Sequence, residues 1–79
     1  MRSYWFVHED GNMLVRLDPK PGDTFALGRG SKAWWRQPAF DEFRWCDPGM
    51  DWDEVPEAVG WQVADAFMAK DYPGAPRQP

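Results

Sequence analysis

Across residues 4–17, apolar and polar side chains alternate on both sides of an Asp10-Gly11 dipeptide. A period of two marks a half-buried strand, because successive side chains leave opposite faces of a sheet. Asp-Gly suits a two-residue type I′ hairpin, whose central residues both need positive φ. Closed there, the hairpin sets Tyr4 against Leu17, Phe6 against Val15, His8 against Met13 and Glu9 against Asn12. One face then holds Tyr4, Phe6, His8, Met13, Val15 and Leu17. The other holds Trp5, Val7, Glu9, Asn12, Leu14 and Arg16. The first carries fewer polar groups and is the expected core face. On the second, Trp5 falls opposite Arg16, within cation–π reach.

Pro19 and Pro21 end the second strand, since proline donates no ladder hydrogen bond, and Gly22 permits a turn. Residues 24–28 read as a third strand, 29–31 as a turn, and 32–37 as a fourth strand closed by Pro38. Residues 39–46 are ambiguous. Phe40 and Phe43 fit one helical turn, Phe43 and Trp45 fit alternation, and an irregular turn followed by a short strand is expected. Pro48 and Gly49 mark residues 47–52 as a loop.

The last element is helical. Asp51 or Asp53 is available as a cap, with Pro56 in the first turn. Val55, Val59, Val63, Ala66 and Phe67 form an apolar stripe, widened by Trp61, Ala64 and Met68. Gly60 inside that stripe costs about 1 kcal/mol relative to Ala, a residue choice that often lets a neighbour pack closely. Lys70 suits the helix C-terminus, and Tyr72, Pro73 and Gly74 stop it. The pattern predicts an α+β fold: a small antiparallel sheet of three to five strands with the C-terminal helix packed on one face. The helix stripe is expected to meet Tyr4, Phe6, Val15 and Leu17. Residues 1–73 form the single expected domain, and 74–79 a disordered tail.

The 79-residue length restricts the core to a few tens of side chains. Six Trp, five Phe and two Tyr exceed what its centre holds, so some rings should be half covered at the rim. Charge sharpens the picture. The net value of −4 divides into +2 over residues 1–40 (six basic, four acidic) and −6 over residues 41–79 (three basic, nine acidic). Seven carboxylates lie in residues 41–57 against Arg44 alone, a field that repels nucleic acid and attracts basic surfaces. The chain has no Ile, one Asn and three Lys beside six Arg, which suggests a GC-rich genome, bacterial or of a phage.

Tests for chemistry are negative. The single Cys46 makes no internal disulfide and is expected as a small, partly buried hydrophobe. "GRGSK" lacks the spacing of a phosphate-binding loop. A calcium loop begun at Asp51 would meet Val55 and Pro56 where it needs an oxygen ligand and Gly. Ser3, Ser31 and His8 form no nucleophile–base motif. No enzymatic activity, metal or cofactor is expected. The first ten residues lack a signal-peptide run and no apolar span reaches membrane length, so the chain is expected in the cytoplasm of a bacterial host cell.

Two surfaces remain as candidates. Trp, Tyr and Arg dominate interface hot spots, and carboxylates around such anchors select a basic partner and speed encounter. Asp41, Glu42, Trp45, Asp47, Asp51, Trp52, Asp53 and Glu54 combine both features and are the expected protein-binding residues. The alternative is a small nucleic-acid or small-ligand binding module using Arg29, Lys32, Trp34, Trp35 and Arg36, where rings stack on bases and cations follow phosphates. Three cations on a chain with thirteen acids weigh against it. In size and charge the chain resembles phage-encoded inhibitors of host enzymes, including anti-CRISPR proteins. Nothing is carried over from that resemblance; the acidic, Trp-rich surface itself leads to the expectation of a non-enzymatic inhibitor docking on the basic nucleic-acid-binding site of a protein partner.

Overall fold

The computed structural model describes residues 3–31 and 33–68. It contains strands β1 (Tyr4–His8), β2 (Met13–Leu17), β3 (Thr24–Gly28) and β4 (Trp35–Arg36), a 3-10 helix (Pro38–Arg44), strand β5 (Trp52–Val55) and helix α1 (Glu57–Met68). The five strands form one antiparallel sheet in the order β4-β3-β2-β1-β5, with α1 against one face. The expected α+β architecture is the observed one.

The β1–β2 register is the one the alternation predicts, with Tyr4 opposite Leu17 and Phe6 opposite Val15. The turn differs from type I′. Gly11 alone in it has positive φ, 74°, and its N–H donates to the His8 carbonyl at 2.8 Å. Asp10 avoids the left-handed region, which is costly for a residue with a Cβ, and its carboxylate instead accepts the Asn12 N–H at 2.9 Å.

Helix α1 packs on the opposite face from the one expected. Gly60, Ala64 and Phe67 are its buried residues, and they meet Trp5, Leu14 and Leu27. Val63 is half buried at the margin, while Val59 and Ala66 are exposed. Arg16, which looks polar in the sequence, accounts for the difference. Its guanidinium carbon lies 4.7 Å from the Trp34 ring centroid, 4.9 Å from Phe25, 5.8 Å from Trp61 and 5.9 Å from Trp5. Asp18 completes the cage, 3.0 Å from Arg16 Nε. The cation is thus wrapped in rings, and the face around it behaves as core.

Phe6, Val15 and Leu17 form a second core on the other face. Its cover is Phe40 and Phe43 of the 3-10 helix together with Trp52. Residues 39–46 therefore supply a helical turn and no strand. Phe40 and Phe43 stand three apart, which is the 3-10 repeat, so both rings face the sheet. Pro38 begins this helix, and the fourth strand shrinks to two residues.

In place of the expected loop and helix cap, residues 52–55 form β5, paired with β1 from Trp5 opposite Val55 to His8 opposite Trp52. As an edge strand with both central residues charged, β5 gives little local signal. Helix α1 starts only at Glu57, so Asp51 and Asp53 do not cap it. At its other end the Phe67 carbonyl accepts the Gly30 N–H at 3.1 Å, tying the helix to the turn after β3. The predicted helix stop and the 74–79 tail lie outside the described residues.

Candidate functional site

The charged stretches singled out in the sequence reach both edges of the sheet. Acidic β5 is one edge and β4, in the basic aromatic stretch, is the other. Four strand steps of about 4.8 Å separate them by about 19 Å. The two candidate sets are thus apart at β5 and β4 but meet at Gly22, whose N–H donates to Asp41 and whose carbonyl accepts from Arg36.

On the acidic side, Glu42, Asp47, Asp51, Asp53 and Glu54 are exposed. Trp45, just after the 3-10 helix, is 68 % exposed. Asp47 accepts the Gly49 N–H at 2.9 Å and so shapes the loop leading to β5. Two expected members belong to the framework. Trp52 is half buried, its ring centroid 4.8 Å from His8, 5.5 Å from Phe40 and 5.3 Å from Phe43. Asp41 faces inward, where its Oδ1 accepts Thr24 Oγ1 at 2.6 Å and the Gly22 N–H at 3.1 Å and pairs with Arg44 Nε.

The Thr24 hydroxyl, then Arg44 and the Gly22 N–H, outweigh desolvation and pull the Asp41 carboxyl down to about 2 from its ordinary 3.8. A depressed acid stabilises the fold fully above its unfolded value and loses that contribution as pH falls through its folded one. Asp41→Asn should therefore melt with a shallower pH dependence than the parent between pH 3.8 and about 2. Equal slopes in thermal melts across that window would exclude the linkage.

Among the described residues, four exposed large apolar or aromatic side chains lie outside the sets expected from the sequence: Met50, 95 % exposed, and Tyr4, Trp61 and Val59, less so. Met50 is apolar but sits in a Pro-Gly-Asp loop with no core-facing element, which was the available signal. Tyr4 lies with Ser3, Glu54, Val55, Pro56 and Glu57 around a cleft of about 390 Å3. A second cleft, of about 290 Å3, lies over His8, Asp10, Met13 and Trp52.

The basic side is largely engaged within the fold. Arg36 donates to the Gly22 carbonyl from Nε at 3.1 Å and Nη2 at 3.0 Å, and from Nη2 to Asp23 at 2.8 Å. Trp34 is half buried over Arg16. Trp35 and Arg29 are exposed, and Lys32 lies outside the described residues.

Among the described residues no group of three or more His, Cys, Asp or Glu is placed to hold a metal ion. No described helix is long and apolar enough to cross a membrane. No protein-family profile, curated protein or solved structure matches the chain.

Proposed function

We propose that this small acidic α+β domain is a non-enzymatic interaction protein that docks its β5 edge and the loop before it on a basic surface of a protein partner. One observation carries the reading. Among the described residues every ion pair uses Asp10, Asp18, Asp23 or Asp41, and none uses Glu42, Asp47, Asp51, Asp53, Glu54 or Glu57. Those six carboxylates repel one another and take part in no ion pair among the described residues that would offset the repulsion. A basic partner would supply the missing cations.

Exposed Trp45 gives such a surface an aromatic anchor. A basic nucleic-acid-binding site is a common surface of that charge, and a chain docked there would exclude nucleic acid. An inhibitor of nucleic-acid-handling machinery, carried by a phage or mobile element, fits this role.

The experiment uses a partner captured on the immobilised full chain from a GC-rich bacterial host. Trp45→Ala should raise its dissociation rate by about tenfold or more and leave the melting temperature unchanged. An unchanged dissociation rate would remove Trp45 from the surface. The alternative nucleic-acid module predicts instead that the purified chain retards single-stranded nucleic acid in a gel and that Trp35→Ala abolishes the shift.

A further inference from the structure

We infer that β5 receives its partner by strand addition, taking up an extended segment that bears Arg or Lys. This rests on the acidic-surface reading and specifies its binding mode. The Glu9 N–H donates to the Asp51 carbonyl at 2.7 Å, which fixes the phase of the β1–β5 ladder. Hydrogen-bonded pairs alternate in an antiparallel ladder, so Asp53 and Val55 bond inward to Val7 and Trp5. Glu54 consequently directs both its N–H and its carbonyl away from β1, and Trp52 directs its carbonyl the same way.

The Trp52 N–H is taken up by the Gly49 carbonyl at 3.5 Å, and Pro56 ends the edge. The open edge is therefore short, centred on Glu54. It is also the better of the two edges. Strand β4 has two residues, and its Arg36 folds back onto Gly22 and Asp23.

Charge selects the occupant. Two β5 edges from separate copies would bring Asp53 and Glu54 against their equals, and like charges placed opposite destabilise a strand pair. A basic segment reverses that sign. The cleft lined by Tyr4, Glu54 and Glu57 adjoins this edge, and its volume of about 390 Å3 accommodates a long basic side chain between two carboxylates and a phenol. Main-chain bonds would give affinity and the cleft would give selectivity, as in other strand-addition interfaces.

The test titrates three probes into the isotope-labelled full chain and follows backbone amide resonances. The first is an end-blocked seven-residue peptide alternating arginine and valine. The second is the same peptide N-methylated at alternate residues, which keeps the charge and removes donors. The third replaces arginine with glutamine. The first should bind with the largest shifts at Glu54 and Tyr4. The second should bind roughly three- to tenfold more weakly, the worth of a backbone hydrogen bond, and the third should not bind measurably.

Glu54→Pro removes the outward N–H at a position where an edge strand tolerates proline, and Glu54→Gln removes only the charge. The Pro variant should bind the first peptide more weakly than the Gln variant. Equal binding of the methylated and unmethylated peptides would overturn strand addition while leaving a charge-driven surface intact. Absence of salt-dependent binding by any basic peptide, or dimerisation of the chain through Glu54, would also overturn it. The acidic-surface reading itself is judged separately, by the kinetics of its side-chain variants on the captured partner.

Discussion

Gly60→Ala should destabilise the protein by about 3 kcal/mol, although the same change on a free helix surface stabilises by about 1 kcal/mol. A Cβ at Gly60 would lie under 3.0 Å from Trp5 Cγ, Cδ2 and Cε3. Trp5 cannot retreat. It is 1 % exposed and packed edge-on against Trp34 and Trp61, at centroid distances of 5.9 and 4.8 Å. The helix must therefore lift from the sheet, opening gaps at Ala64 and Phe67 that lose their packing. Urea denaturation of parent and variant measures the difference. A Gly60→Ala protein as stable as the parent would mean that α1 does not sit on Trp5.

Arg44→Met should cost a similar amount, about 3 kcal/mol, by removing the half-buried cation that neutralises Asp41 and the donor to the Asp18 carbonyl. Arg44 is 11 % exposed in its side chain. It pairs with Asp41, and its guanidinium donates to the carbonyls of Asp18, Lys20 and Asp23 in the β2–β3 loop. Arg44→Lys should recover only part of the loss, because one ammonium cannot match a planar fork aimed at several acceptors. Arg36→Met is the internal control. Arg36 is 59 % exposed in its side chain, and its pair with Asp23 should contribute under about 1 kcal/mol. Thermal melts showing equal losses for the two arginines would contradict this division between framework and surface.

These residues mark where the sequence is legible and where it stops. The hairpin register follows from a period of two around Asp10-Gly11, a local rule that holds even though the turn takes another form. The helix also follows from local spacing, but its buried face does not. Gly60, Ala64 and Phe67 are buried, whereas of the expected stripe Val55 lies in β5 and Val59 and Ala66 are exposed. Gly60, expected as a point of close packing, is one. What the helix packs against is not local. Arg16 makes its face look polar until four rings from four segments close over it. Strand β5 has no period of its own because Asp53 and Glu54 fill its centre, and only pairing with β1 defines it.

The candidate site divides along the same line. Exposure of Trp45 and of the carboxylates from Asp47 to Glu54 agrees with their place in a charged, turn-rich stretch. The inward roles of Asp41 and Trp52 depend on Thr24, Arg44, His8 and Phe40, contacts that no spacing rule reaches. Arg44 stands in the sequence as the lone base among seven acids, yet its carbonyl partners lie 21 to 26 residues earlier.

The central claim is that the acidic edge is the binding edge, and the association rate of the captured partner tests it most directly. The variant carries Asp47→Asn, Asp51→Asn and Glu54→Gln. The first change keeps a side-chain oxygen able to accept the Gly49 N–H, and the other two carboxylates join no ion pair among the described residues, so the melting temperature should hold. The parent should associate more slowly as salt rises, while the variant should associate about tenfold more slowly at low salt and respond weakly to added salt. A variant that binds with the parent's rate and salt dependence would contradict the claim and shift attention to the edge carrying Trp35 and Arg36.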